Sequence, residues 1–141
     1  GKVIRRNQPQ IVKKVIGGET ALKVTEMLRD VVNDGGTGTS AALSGYDVAG
    51  KTGTAQKVSE NGRGYAEGKH VASFIGFVPA QSPELVVLVA IDEPIGVQYG
   101  GVVAAPAFKA IAETSLRYLN SPKKSDGDVR AIGAMKVAKA D

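Results

Sequence analysis

The sequence has 141 residues, of which 43% are hydrophobic, and a formal net charge of +4 at pH 7. That length allows a single domain with a core of its own, and so mild and dispersed a charge excludes the clustered basic surface of a nucleic-acid-binding protein. With no cysteine and one histidine, the chain can form neither disulfides nor a thiolate or histidine-rich metal site. We expect no metal ion, no cofactor and no nucleic acid.

The first 45 residues predict an extended segment, a helix and a loop. Residues 2–16 mix β-branched and basic side chains around Pro9, which is typical of an edge strand or an extended entry segment. Apolar side chains recur at helical spacing within residues 19–33 and predict one amphipathic helix. They are Leu22, Thr25, Leu28, Val31 and Val32. Residues 35–45 are rich in Gly, Thr and Ser and predict a loop.

Three strands are predicted next. Residues 46–58 form the first, and a long mobile turn over 59–69, rich in glycine, separates it from the second, over 71–78. Residues 85–91 (LVVLVAI) are apolar without alternation, which predicts a third strand buried on both faces, in the middle of a sheet with helices on either side. This run is far shorter than the ~20 residues of a membrane-spanning helix. We therefore expect no membrane segment.

The last predicted element is a helix that starts near Pro106 and ends before Pro122. Its apolar positions form one narrow face: Phe108, Ile111, Ala112, Ser115, Leu116 and Leu119. We assign residues 1–120 to one domain and 121–141 to a flexible tail or linker. The fold class predicted is α/β of the α+β type, an antiparallel sheet of about three main strands with two packed helices.

Two motifs overlap at Lys51. Residues 45–52 (GYDVAGKT) spell the phosphate-binding P-loop, and residues 51–54 (KTGT) spell a carboxylate-binding strand of serine acyl-transferases. A P-loop needs a buried strand before it and a helix that starts at its Lys. Here GGTGTSAALS precedes the motif, and β-branched residues and glycines follow it. We therefore reject the nucleotide-binding interpretation.

The K-T-G interpretation needs only a strand, and one is predicted there. Alternation places Lys51 and Gly53 on one face and Thr52 and Thr54 on the other. On an edge strand beside a cleft, an ammonium group, hydroxyls and unpaired backbone N–H groups would together bind a carboxylate and an extended peptide. Gly53 would let a substrate backbone approach closely.

Four blocks of sequence, in order, resemble the C-terminal part of the transpeptidase domain of class B penicillin-binding proteins. They are AGKTGTAQ (49–56), ASFIGFVPA (72–80), IDEP (91–94) and YGGVVAAPAF (99–108). The resemblance covers residues 2–119, and it implies a partial penicillin-binding transpeptidase fold.

The resemblance implies a D,D-transpeptidase that cross-links peptidoglycan, in which a Ser forms an acyl-enzyme with the stem peptide and β-lactams acylate the same Ser. Lys51 would supply positive charge to the carboxylate and to proton relay, and the hydroxyls of Thr52 and Thr54 would bind the carboxylate. The Thr54 backbone N–H would donate to the oxyanion, which makes Lys51 and Thr54 the catalytic candidates. Gln56 is a weaker candidate for substrate contact.

The family's S-x-x-K and S-x-N motifs should both precede K-T-G, and neither does. The look-alikes SPKK (121–124) and SEN (59–61) both follow it, and we interpret them as chance patterns. We therefore expect this chain to be the piece of a transpeptidase domain that carries one wall of the active site without the nucleophile. By itself it should be inactive in acylation.

The predicted partners are a peptidoglycan stem peptide or a β-lactam, and the N-terminal half of the domain. Without that half, the strand at 85–91 would have a bare edge, which predicts association with the N-terminal half, strand exchange or a homodimer. The family implies a periplasmic or extracytoplasmic location for a membrane-anchored parent protein. The alternative function is a non-catalytic peptide-binding or assembly module that uses the same strand.

Overall fold

The computed structural model describes residues 4, 5, 8 and 10–124, and these residues form an antiparallel sheet with helices. The elements are α1 (Gly18–Asp30), a 3-10 turn (Thr39–Ala41), β1 (Ala49–Val58), β2 (Tyr65–Val78), β3 (Leu85–Asp92), α2 (Gly100–Val103) and α3 (Ala105–Leu119). The predicted α+β fold, with three antiparallel strands and two main helices, is confirmed. In the described ranges, every helix is too short or too polar to cross a bilayer.

The sheet has the order β1-β2-β3, so that β1 and β3 are its two edges. Thr52 lies opposite Phe74, which lies opposite Val89, and this row points to the face that we call the inner sheet face. The adjacent row joins Lys51, Ile75 and Leu88 and points to the opposite face, the outer sheet face.

The core lies between the inner sheet face and α3. The rings of Phe74 and Phe108 pack with centroids 4.8 Å apart at an angle of 60°, and Leu116 extends the contact along α3. Gly76 makes this contact possible, since a Cβ there would lie 2.9 Å from the Phe108 ring. Phe108 and Leu116 are thus buried as the helical spacing predicted, but Ile111, on the same predicted face, is half exposed.

The outer sheet face is open among the described residues. Ile75, Val86 and Leu88 keep 45%, 66% and 63% of their surface exposed. The prediction that 85–91 is buried on both faces in the middle of a sheet is therefore wrong for this chain, because β3 is an edge strand and only its alternate residues face α3. An apolar strand with one bare face indicates a surface that another chain segment could cover.

Three other boundaries differ from the prediction. The turn predicted over 59–69 spans only 59–64, because β2 already begins at Tyr65, opposite Val58. The helix predicted over 19–33 ends at Asp30, and Val32 beyond it enters the core. Residues 10–16 are exposed and form no helix or strand.

The proposed tail starts beside the core. Residues 121–124 return to the body, where the Ser121 carbonyl accepts a 2.7 Å hydrogen bond from the Tyr46 hydroxyl and the Lys124 amide donates to Gly45. Residues 125–141 lie outside the described ranges, and a flexible tail there remains a prediction.

Candidate functional site

All five predicted site residues lie on β1, the edge strand that ends the sheet opposite β3. They are Lys51, Thr52, Gly53, Thr54 and Gln56. β1 pairs with β2 on one side, and on its other side the described residues contribute no strand. A strand of this kind leaves every second backbone N–H and C=O free to bind an extended peptide.

The K-T-G residues alternate between the two sheet faces, as predicted. The exposed Lys51 side chain lies on the outer sheet face, opposite Ile75, and its ammonium donates to the Thr52 carbonyl at 2.8 Å. Thr52 lies on the inner sheet face and is partly buried. The ammonium group and the hydroxyl therefore reach the open edge from opposite sides of one strand.

The threonine hydroxyls have neighbours that the sequence did not indicate. The Thr52 hydroxyl lies 3.0 Å from that of Thr37, in the loop after α1. The Thr54 hydroxyl lies 3.5 Å from the Gln98 carbonyl, which is the length limit of a hydrogen bond. Thr37 lies in the loop predicted over 35–45, for which no functional role was predicted. The K-T-G motif begins 14 residues later in the sequence and gives no indication that Thr52 contacts this loop.

The glycine pair before α3 supports the K-T-G strand from behind. A Cβ at Gly100 would overlap the carbonyl oxygen of Ser73 and lie 2.6 Å from that of Gly53. At Gly101, a Cβ would overlap the Thr37 carbonyl oxygen. Both positions therefore exclude side chains, which explains this part of the 99–108 block. The four-residue helix α2, which begins at Gly100, was not among the predicted elements.

The strand geometry argues against nucleotide binding. β1 continues through Lys51 and Thr52, whereas a phosphate-binding loop requires a helix to begin at these residues. The acidic pair at the end of β3 forms ion pairs with a lysine. Asp92 and Glu93 contact the Lys57 ammonium at 2.9 and 2.7 Å, and in the described part of the chain no group of acidic or histidine side chains could hold a metal ion.

This ion cluster closes the far end of the sheet. Lys57 reaches from β1 across β2 to the end of β3. Hydrogen bonds to Glu93 and Asp92 raise the pKa of the Lys57 ammonium, and the hydrogen bond from Lys57 lowers the pKa of the Glu93 carboxyl. The charges thus stabilise each other and tie together the two edge strands.

The two look-alike motifs sit in ordinary structural roles. The Ser59 hydroxyl lies 2.5 Å from Asn61 Oδ1 and 2.6 Å from the Arg63 carbonyl, inside the β1–β2 turn. The Lys124 ammonium pairs with the Asp47 carboxylate. Neither arrangement offers a Ser and a Lys in mutual contact.

Comparison with known sequences gives one consistent match. The family described as the penicillin binding protein transpeptidase domain matches residues 2–113. The probable peptidoglycan D,D-transpeptidase PenA of Neisseria flavescens is 51% identical over 114 residues, which are 79% of this chain and 28% of that protein. The stage V sporulation protein D of Bacillus subtilis is 46% identical over 126 residues, 88% of this chain and 19% of that protein.

Solved structures agree with the sequences. The transpeptidase domain of penicillin-binding protein 3 from Burkholderia pseudomallei superposes with a TM-score of 0.74 and 44% identity, and covers 86% of this chain and 37% of that one. Penicillin-binding protein 3 from Mycobacterium tuberculosis, complexed with ampicillin, superposes with a TM-score of 0.69 and 35% identity. The match covers 79% of this chain and 26% of that one. The chain thus spans well under half of each of these relatives. By both sequence and fold, the chain belongs to the penicillin-binding protein transpeptidase family.

Proposed function

We propose that this chain forms the carboxylate-binding wall of a D,D-transpeptidase active site. The observation that carries the proposal is the position of K-T-G on β1, an edge strand that pairs only with β2 among the described residues. The side chains of Lys51, Thr54 and Gln56 on this strand are exposed. A stem peptide ending in D-alanyl-D-alanine, or a β-lactam, would lie along this edge as an added strand.

Each residue of the strand has a part in the proposal. The Lys51 ammonium and the hydroxyls of Thr52 and Thr54 bind the ligand carboxylate, and the backbone N–H of Thr54 donates to the oxyanion. Gly53 leaves room for the ligand backbone, and Gln56 contacts the ligand further along the strand. Among the described residues no Ser hydroxyl is hydrogen-bonded to a Lys, and in this proposal the nucleophile comes from the upstream part.

The outer sheet face supports an upstream origin for that nucleophile. Lys51 lies on this face, in one row with the exposed side chains of Ile75 and Leu88. A chain segment packed on this apolar surface would end beside the Lys51 ammonium, where a nucleophilic Ser must act. We propose that the upstream part of the transpeptidase domain packs there and also pairs with the open edge of β3, where a second copy of this chain can pair when that part is missing.

The reaction follows from the family. The upstream Ser oxygen bonds to the penultimate D-alanine carbonyl carbon, the terminal D-alanine leaves as the amine, and the acyl group then passes to an amine of a second stem peptide. Because peptidoglycan is assembled outside the cytoplasmic membrane, we place the parent protein there, periplasmic or extracytoplasmic and held by a membrane anchor.

Intact-mass spectrometry after incubation with benzylpenicillin tests this function. We expect no adduct on this chain alone and one adduct, confined to the upstream part, when both parts are present. A single chain that joins the two parts controls for failed reassembly. If that joined chain forms no adduct but binds the peptide reversibly, the transpeptidase proposal is wrong and a binding module replaces it.

Lys51→Ala in the joined chain should slow acylation by at least about a hundredfold, because the positive charge next to the ligand carboxylate is lost. Lys109→Ala, a partly exposed lysine on α3, is the matched control and should leave the rate unchanged. Equal rates for the two variants would contradict the role of Lys51.

A further inference from the structure

The hydroxyls of Thr37 and Thr52 share one hydrogen bond, and the positions of the two oxygen atoms do not fix which of them is the donor. The two oxygen atoms lie 3.0 Å apart, and either can donate. A threonine hydroxyl carries one hydrogen and two acceptor lone pairs. Among the described residues, neither hydroxyl makes a second hydrogen bond, so the direction of this one bond decides what Thr52 can offer to a ligand.

The Thr37 side chain is exposed, but the backbone that carries it is held by its neighbours. The Gly38 amide donates to the Val31 carbonyl at 2.8 Å, which fixes the loop to the end of α1. Gly38 is buried, and a Cβ there would lie 2.8 Å from the Phe74 ring. On the other side, the Thr37 carbonyl fills the space that a side chain at Gly101 would need. The Thr37 hydroxyl is therefore presented to Thr52 by a packed loop.

A carboxylate only accepts hydrogen bonds, so it needs the single hydrogen of Thr52. If Thr52 donates to Thr37, that hydrogen is spent, and the lone pairs left toward the ligand repel a carboxylate. If Thr37 donates to Thr52, the Thr52 hydrogen is free, and a hydroxyl that already accepts one hydrogen bond is a stronger donor.

We propose that Thr37 is a positioning residue, which donates to Thr52 Oγ1 and so directs the Thr52 hydrogen at the carboxylate of the bound ligand. Thr37 itself does not touch the ligand. This inference rests on the proposed function, because it gives Thr52 a carboxylate to bind. It adds to K-T-G a selectivity determinant supplied by the loop after α1.

The test uses the full product of the gene and compares acylation by benzylpenicillin with acylation by its methyl ester, which lacks the carboxylate. Thr37→Val removes the hydroxyl and keeps the shape, and Thr37→Ser keeps the hydroxyl. We expect Thr37→Val to lower the ratio of the two rate constants about threefold, because Thr52 keeps its hydrogen but loses the neutral hydrogen bond that orients it, and Thr37→Ser to restore most of it. Thr114→Val, a threonine whose hydroxyl bonds only within α3, should leave the ratio unchanged.

Two further comparisons identify the cause. In a Thr52→Val background, Thr37→Val should have no additional effect, because the hydroxyl it orients is gone. If Thr37→Val slows both reagents equally, its role is purely structural and the inference is wrong, while the proposed function stands. If the unsubstituted protein does not prefer the carboxylate form, the proposed function is wrong and the inference falls with it.

Discussion

Phe74 and Ile75 are neighbours on β2 and both are large and apolar, yet their surroundings differ completely. Phe74 points to the inner sheet face, where it is fully buried against Phe108 of α3. Ile75 points to the outer sheet face, where it lies between Lys51 and Leu88 and keeps 45% of its surface exposed. One face of this sheet therefore has its core within the described chain, and the other does not.

The difference shows how the two halves of a site can be divided between chain segments. The inner sheet face has its core within the described residues, with α3 packed on β2 and β3 and α2 packed on β1 and β2. The outer sheet face exposes the Lys51 side and a row of apolar residues, and in our proposal it completes a site only when the upstream part covers it. Stability and catalysis should thus respond differently to substitutions on the two faces.

The strongest test of this comparison is to replace Phe74 and Ile75 by alanine, one at a time. Phe74→Ala should cost about 3–5 kcal/mol of unfolding free energy, because it leaves a cavity in the core. Since whole domains have only about 5–15 kcal/mol, we expect little folded protein at 37 °C. Ile75→Ala should cost only about 1–2 kcal/mol, because nearly half of its surface is already exposed.

Urea denaturation followed by circular dichroism measures both variants under one condition. Equal losses for Phe74→Ala and Ile75→Ala would mean that the outer sheet face is covered in solution, by a second copy or another segment. Repeating the measurement over a range of protein concentrations separates these cases, because only self-association makes the apparent stability depend on concentration.

A charge on the outer sheet face should separate folding from association. Leu88→Lys places an ammonium in an exposed row, so the fold should survive. Its affinity for the upstream part should fall at least about tenfold, because a lysine in an apolar interface must be desolvated. Ile111→Lys, also half exposed but on α3, is the matched control. A titration of labelled upstream part gives both affinities, and an unchanged affinity for Leu88→Lys would place the partner elsewhere.

Much of the fold could be predicted because local pattern and tertiary packing agree. The alternation in β1 placed Lys51 and Thr52 on opposite faces, and the spacing of Phe108, Ala112 and Leu116 on α3 matched the buried side of that helix. The K-T-G motif was placed correctly on a strand because a P-loop helix was incompatible with the residues after Thr52.

The errors came from information that belongs to a larger assembly or to distant contacts. The apolar run from Leu85 to Ile91 predicted burial on both faces, yet the described chain covers only one. Thr37 gave no signal, because its contact with Thr52 depends on how a glycine-rich loop packs under α2. Gly64 and Gly68 suggested a long turn. Gly64 does lie in the turn, but Gly68, which also has a positive φ, lies within β2.

The smallest effect should come from Asp47, a partly buried residue before β1 whose carboxylate connects three other segments of the chain. Its carboxylate contacts Arg29 of α1 at 2.9 Å and also pairs with Gln81 and Lys124. Burial alone would raise the pKa of Asp47, but the hydrogen bonds from Lys124 and Gln81 and the charges of Arg29 and Lys124 outweigh it and lower that pKa.

Asp47→Asn should therefore cost about 1 kcal/mol at pH 7, well below the cost of Phe74→Ala, since these ion pairs are only partly buried. A carboxyl whose folded pKa is lowered stabilises the fold above its unfolded pKa of about 3.9 and loses this contribution as pH falls through the folded value. The gap between the two proteins should thus be constant near neutral pH and close below about pH 4. Asp34→Asn, which removes a carboxylate with no ion pair among the described residues, is the matched control. If the difference in unfolding free energy persists at pH 2.5, Asp47 acts by shape and hydrogen bonding, and its charge contributes nothing to stability.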